Sequence, residues 1–170
     1  QWLEAGAPAP ENPPSITPSA PAPLPDDVIT VKMSEPFSIP AETEDNGHRY
    51  HQDTWSFVLP LCNTDPIRLQ GMQWDSSAPE NLHTATILLD GRGRGRMRDE
   101  YDPRVGYELD GDLSRDISGT HGGAAVGMPR FMLPAGFHMT APAEVDVVAE
   151  LRYRPSGRIV PLQDTIHLFP

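Results

Sequence analysis

Cysteine is almost missing from this 170-residue chain: Cys62 stands alone, so no internal disulfide can form and cysteine usage does not fix the redox compartment. Its setting, Phe57-Val58-Leu59-Pro60-Leu61-Cys62, predicts a small buried hydrophobe rather than a nucleophile, which would need a base and an electropositive neighbourhood. Basic residues are also scarce. Thirteen Lys and Arg against 24 Asp and Glu give a formal net charge of -11, which argues against nucleic acid and against direct docking on an anionic lipid surface. No run of 18 apolar residues occurs, so no transmembrane segment is expected. Nucleophile signatures, a P-loop and a dinucleotide fingerprint are absent too.

Proline is what the chain has in excess. Ten of its 20 prolines fall in residues 1–40, from Ala7-Pro8-Ala9-Pro10 to Pro21-Ala22-Pro23-Leu24-Pro25. Such a stretch buries too little apolar surface to offset its ordering entropy, and is expected to be extended and polyproline-like. Residues 1–40 are therefore read as an extended Pro/Ala-rich arm and residues 41–170 as one domain. Trp2 and Leu3 would anchor the arm on a partner, with Pro8, Pro10, Pro21, Pro23 and Pro25 lying along it. A start at Gln1 fits a mature exported protein.

From residue 50 onward the pattern is β. Thr54–Leu59 is rich in β-formers and stops at Pro60; Ile67 and Leu69 alternate with Arg68 and Gln70; Thr84–Leu89 ends at the turn signal Asp90-Gly91. In Glu144–Arg154, Val145, Val147, Ala149, Leu151 and Tyr153 would face a core. Asp146, Val148, Glu150, Arg152 and Arg154 would form a cross-paired solvent face. No stretch shows sustained helical periodicity, and residues 91–130 read as long excursions between strands. Short strands punctuated by Pro and Gly predict an all-β sandwich or barrel.

Thr54-Trp55-Ser56-Phe57-Val58-Leu59-Pro60, Ile67–Trp74, Leu82-His83-Thr84 with Ile87–Asp90, Met132-Leu133-Pro134-Ala135-Gly136, Val148–Arg158 and Asp164–Phe169 form an ordered series. That series resembles the N-terminal domain of the copper type II, ascorbate-dependent monooxygenases, and the likeness covers about two thirds of the chain. The resemblance implies an antiparallel jelly-roll-like β-sandwich and a periplasmic or extracellular setting. It also implies copper held by a His-His pair and a further His. Here the pair position reads Leu82-His83, or His83-Thr84 one register on, and Arg152 stands at the further position. Arginine stays protonated and offers no lone pair, so His83 and Arg152 are vestiges of a metal site rather than ligands. No cofactor and no catalysis are expected.

Other candidates carry less. His48 and His51 sit in a loop-like stretch, and Asp110, Asp112 and Asp116 lack the spacing of an EF-hand. Trp55, Trp74 and Tyr153 would line a ligand cleft in a carbohydrate-binding sandwich, but aromatic strand residues more commonly form core. Arg92, Arg94 and Arg96, in Gly91-Arg92-Gly93-Arg94-Gly95-Arg96, form a cationic loop tip suited to an acidic partner. The expected function is a non-catalytic exported scaffold subunit. It would bind protein subunits of a larger membrane-bound complex, respiratory or photosynthetic, on its periplasmic face. A copper-binding protein or a degenerate copper monooxygenase is the alternative.

Overall fold

The computed structural model describes residues 23–41, 54–108, 120–125 and 130–170, the stretch 120–125 by its backbone alone. The described residues form thirteen strands and one helix: β1 Ile29–Lys32, β2 Phe37–Ile39, β3 Thr54–Pro60, β4 Ile67–Leu69, β5 Gly71–Asp75, β6 Leu82–Asp90, α1 Arg94–Tyr101, β7 Tyr107–Glu108, β8 Thr120–Ala125, β9 Arg130–Met132, β10 Met139–Ala141, β11 Asp146–Tyr153, β12 Val160–Leu162 and β13 Thr165–Phe169. Two antiparallel sheets dominate. One runs β1-β13-β5-β9 and the other β7-β3-β11-β6-β8; two short ladders, β10-β4 and β12-β2, accompany them.

A single apolar core joins the two sheets, which makes the fold an all-β sandwich. Val31, Met72, Trp74, Ile166 and Leu168 come from the four-stranded sheet. Phe57, Leu59, Ile87, Val147, Ala149 and Leu151 come from the five-stranded one. The period-2 alternation of β-strands places these residues inward. The inward set expected of the 144–154 stretch holds, with Val145, Val147, Ala149, Leu151 and Tyr153 all buried. The outward set holds only toward the C-terminal end of β11. Asp146 and Val148 are buried as well, because α1 lies over that end of the sheet: Val148 packs with Leu88, Tyr107 and Val58 in a small second cluster.

Two expectations about the N-terminal segment and the helix content are corrected. The boundary at residue 40 falls too late. Within the supposed arm, β1 pairs with β13 from Ile29↔Leu168 to Lys32↔Thr165, and β2 pairs with β12. Phe37 sits among Trp55, Phe57 and Tyr153, with ring centroids 4.9, 5.3 and 5.8 Å away. Residues 29–39 therefore belong to the sandwich. Asp164, itself buried, fastens them: its backbone oxygen accepts from Met33 N (3.2 Å), and its carboxylate accepts from Trp74 Nε1 and Ser77 N, both at 2.9 Å. Burial pushes the Asp164 carboxyl up, and these donors oppose the shift. The stretch read as an excursion after Asp90 contains α1.

Candidate functional site

The residues implied by the copper-protein likeness do come together. In the β6–β11 ladder, Arg152 faces Thr84 and Tyr153 faces Leu82, so His83 is the extra residue of a β-bulge beside Arg152. A bulge re-aims a side chain and interrupts pairing. His83 is half-buried, and its Nδ1 has no hydrogen-bond partner. Arg152 is half-buried and carries an interaction of its own. No group of three His, Cys, Asp or Glu able to hold a metal occurs among the described residues. What the bulge presents is one imidazole next to a guanidinium.

The Gly-Arg segment is built differently from the expected loop tip. Asp90 and Asp146 are directly opposed on β6 and β11, and both are buried, at 2% and 4% exposure. Two like charges so placed destabilise a sheet unless each is compensated. The residues after Asp90 do this. Asp90 accepts from the backbone N–H groups of Arg92 (3.0 Å) and Gly95 (2.7 Å), which caps the start of α1. Arg96 donates two hydrogen bonds to Asp146, Nη2 to Oδ1 at 2.6 Å and Nε to Oδ2 at 3.1 Å. That contact raises the Arg96 pKa further. Gly93 turns the chain at φ 66°, a left-handed conformation that suits glycine. Gly95 lies against the sheet, where an added Cβ would stand 2.7 Å from Val148 Cγ2. The Gly-Arg repeat is thus a closure over two buried acids. Arg92 remains exposed, Arg94 is half-buried and engaged, and Arg96 is committed to Asp146.

A second polar arrangement crosses the outer face of the four-stranded sheet, and sequence reasoning missed it. His167 Nε2 donates to Asp75 Oδ2 at 3.1 Å, and Nδ1 shares a 2.9 Å hydrogen bond with Thr30 Oγ1. Asp75 also accepts from Gln73 Nε2 (2.8 Å), and Gln73 Oε1 accepts from Arg130 Nε (2.9 Å). The Arg130 guanidinium lies 4.8 Å from the centroid of the Phe169 ring. Thr30 of β1, Gln73 and Asp75 of β5 and His167 of β13 carry it, joined by Arg130 of β9. The available signal was alternation, in which Thr30, Gln73, Asp75 and His167 all fall on the polar phase of their strands.

The remaining sequence candidates divide cleanly. Trp55, Trp74 and Tyr153 are buried in the core. Cys62 is exposed, not buried, because the chain leaves β3 there with φ 55°. Pro23 and Pro25 are exposed; Trp2, Leu3, Pro8, Pro10, Pro21, His48, His51, Asp110, Asp112 and Asp116 lie outside the described residues. One surface feature is unexpected. Residues 131–137, Phe-Met-Leu-Pro-Ala-Gly-Phe, are all apolar and none is buried. Phe131 is 37% exposed, Met132 50% and Phe137 68%. No described helix is long and apolar enough to cross a membrane. Comparison with protein-family models, with curated proteins and with solved structures finds no match.

Proposed function

We propose that this chain is a non-catalytic contact subunit, exported, that attaches to a larger membrane-bound protein complex. The observation that carries the reading is the uncharged apolar run 131–137. Single exposed hydrophobes are ordinary, but consecutive ones mark an interaction site or a liability. Met132 and Phe137 are already partly covered, so burying what remains exposed would contribute about 1–2 kcal/mol each, a useful share of an interface. The Pro-rich residues upstream of Pro23 and the exposed Arg92 would extend the contact.

The test is affinity purification of the tagged chain from gently solubilised native membranes, beside a Phe131→Asp/Phe137→Asp variant and a version lacking residues 1–22. One defined complex that follows the parent chain and is lost with the double variant supports the subunit. A protein that comes out alone overturns it. A copper-binding reading is favoured by one observation, the unpartnered His83 Nδ1 in the bulge. Copper retained at one equivalent after desalting, and lost in His83→Ala, would put that reading first.

A further inference from the structure

A shallow groove runs between the C-terminal end of α1 and β7, lined by Arg98, Tyr101, Asp102, Pro103, Arg104 and Glu108. We propose that this groove binds a neutral carbohydrate chain.

Three features point to that ligand class. The first is the platform. Tyr101 is 84% exposed, the most open of the large apolar side chains among the described residues. An exposed aromatic ring beside polar groups offers a flat apolar face to the C–H side of a sugar ring and a hydroxyl at its edge.

The second is charge balance. The groove is lined by two guanidinium groups and two carboxylates, equal in number, and Arg104 contacts both carboxylates. Arg104 Nε and Nη2 donate to the two oxygens of Asp102 at 2.9 and 2.8 Å, and Nη2 lies 3.7 Å from Glu108 Oε2. Arg98 also carries an interaction. An anionic ligand would call for unmatched cations, and a cationic one for unmatched acids. Balanced planar groups instead suit vicinal hydroxyls, which donate to a carboxylate and accept from a guanidinium.

The third is rigidity. Arg104 sits 4.4 Å from the centroid of the Trp55 indole, itself part of the core. Arg104 N donates to Asp102 Oδ1 at 3.0 Å, closing the turn. Arg104 holds the Asp102 carboxyl down at about 2, so it remains an ionised acceptor over the physiological range. Groups fixed before binding lose less entropy on binding.

The experiment is a titration of the full-length, isotopically labelled chain, followed by backbone amide shifts. The probes are cellohexaose, xylohexaose, mannohexaose, maltohexaose and laminarihexaose, each taken to about 5 mM, with oligogalacturonate as the anionic control. At least one neutral sugar should shift amides within residues 98–108. Affinity should fall roughly tenfold or more in Tyr101→Ala and be kept in Tyr101→Phe. Two results would overturn the assignment: no neutral probe shifting that stretch, or shifts that survive Tyr101→Ala unchanged. A stronger response to the anionic control would overturn the neutral class.

Discussion

Removing the Arg96 side chain tests whether the Gly-Arg segment is a closure over buried acids. Arg96→Ala deletes both hydrogen bonds to Asp146, whose side chain is only 6% exposed, and leaves it facing Asp90 across the β6–β11 ladder. Breaking a buried pair by removing one partner costs about 3–5 kcal/mol. The Arg96 side chain is 56% exposed, however, so water already screens much of the attraction and can reach part of the vacated site. The expected loss is about 2 kcal/mol at neutral pH, which for a chain of this length lowers the melting temperature by about 4–8 °C. Asp146→Asn removes the repulsion along with the pair and should cost about 1 kcal/mol. The double variant should then lose about 1.5–2 kcal/mol rather than the sum, a coupling of about 1 kcal/mol or more. Urea unfolding of the four proteins measures this. Single-variant losses that add to within about 0.5 kcal/mol would show that Arg96 and Asp146 are energetically independent, and the closure account would fail.

Gly95→Ala should destabilise by about 1–3 kcal/mol, although alanine is the better helix former, because the new Cβ would meet Val148 Cγ2. Gly91→Ala, with nothing within 4 Å, should leave thermal unfolding nearly unchanged. Burial pushes the Tyr107 phenol up to about 12, above its ordinary 10. The folded state therefore favours the neutral ring. The associated stability is fully present below pH 10 and is lost as pH rises through 12. The loss amounts to about 2–3 kcal/mol, and Tyr107→Phe should flatten that part of the alkaline unfolding profile. Tyr153, held up in the same direction by burial, contributes to the loss that remains. Phe37→Ala should cost about 3–5 kcal/mol by chemical denaturation, since Phe37 fills an aromatic cluster in the core. Removing residues 1–36 takes away β1 and its ladder with β13, and should abolish cooperative unfolding.

Strand content was legible where a strand is long and one face is apolar. β11 alternates over eight residues, and its inward face was read correctly. β1 and β2 were missed although Ile29, Val31, Phe37 and Ile39 alternate with polar residues. They are only four and three residues long, and the prolines around them carry a stronger local signal than two inward side chains can. The His167 network was missed for another reason. Its members come from β1, β5, β9 and β13, and nothing in the chain order says that those strands are neighbours.

The helix was invisible for a physical reason that also explains the Gly-Arg repeat. Helices are recognised by an apolar stripe every three to four residues. In Arg94–Tyr101 the one buried residue is Gly95, which has no side chain to register in such a pattern. The helix comes so close to the sheet that only glycine fits at the contact. What holds it there is the polar pairing of Asp90 with backbone N–H groups and of Asp146 with Arg96. The clue in the sequence lay in the strands. Asp90 ends an apolar strand, Asp146 begins another, and a strand-end acid followed directly by Gly-Arg-Gly-Arg-Gly-Arg supplies its own cap and counter-charge. Arginines spaced by glycines can therefore answer an internal electrostatic demand of the fold. In this chain only Arg92 is left to serve a partner in the way first expected of Arg92, Arg94 and Arg96 together, which shifts the weight of any docking surface onto the apolar residues 131–137.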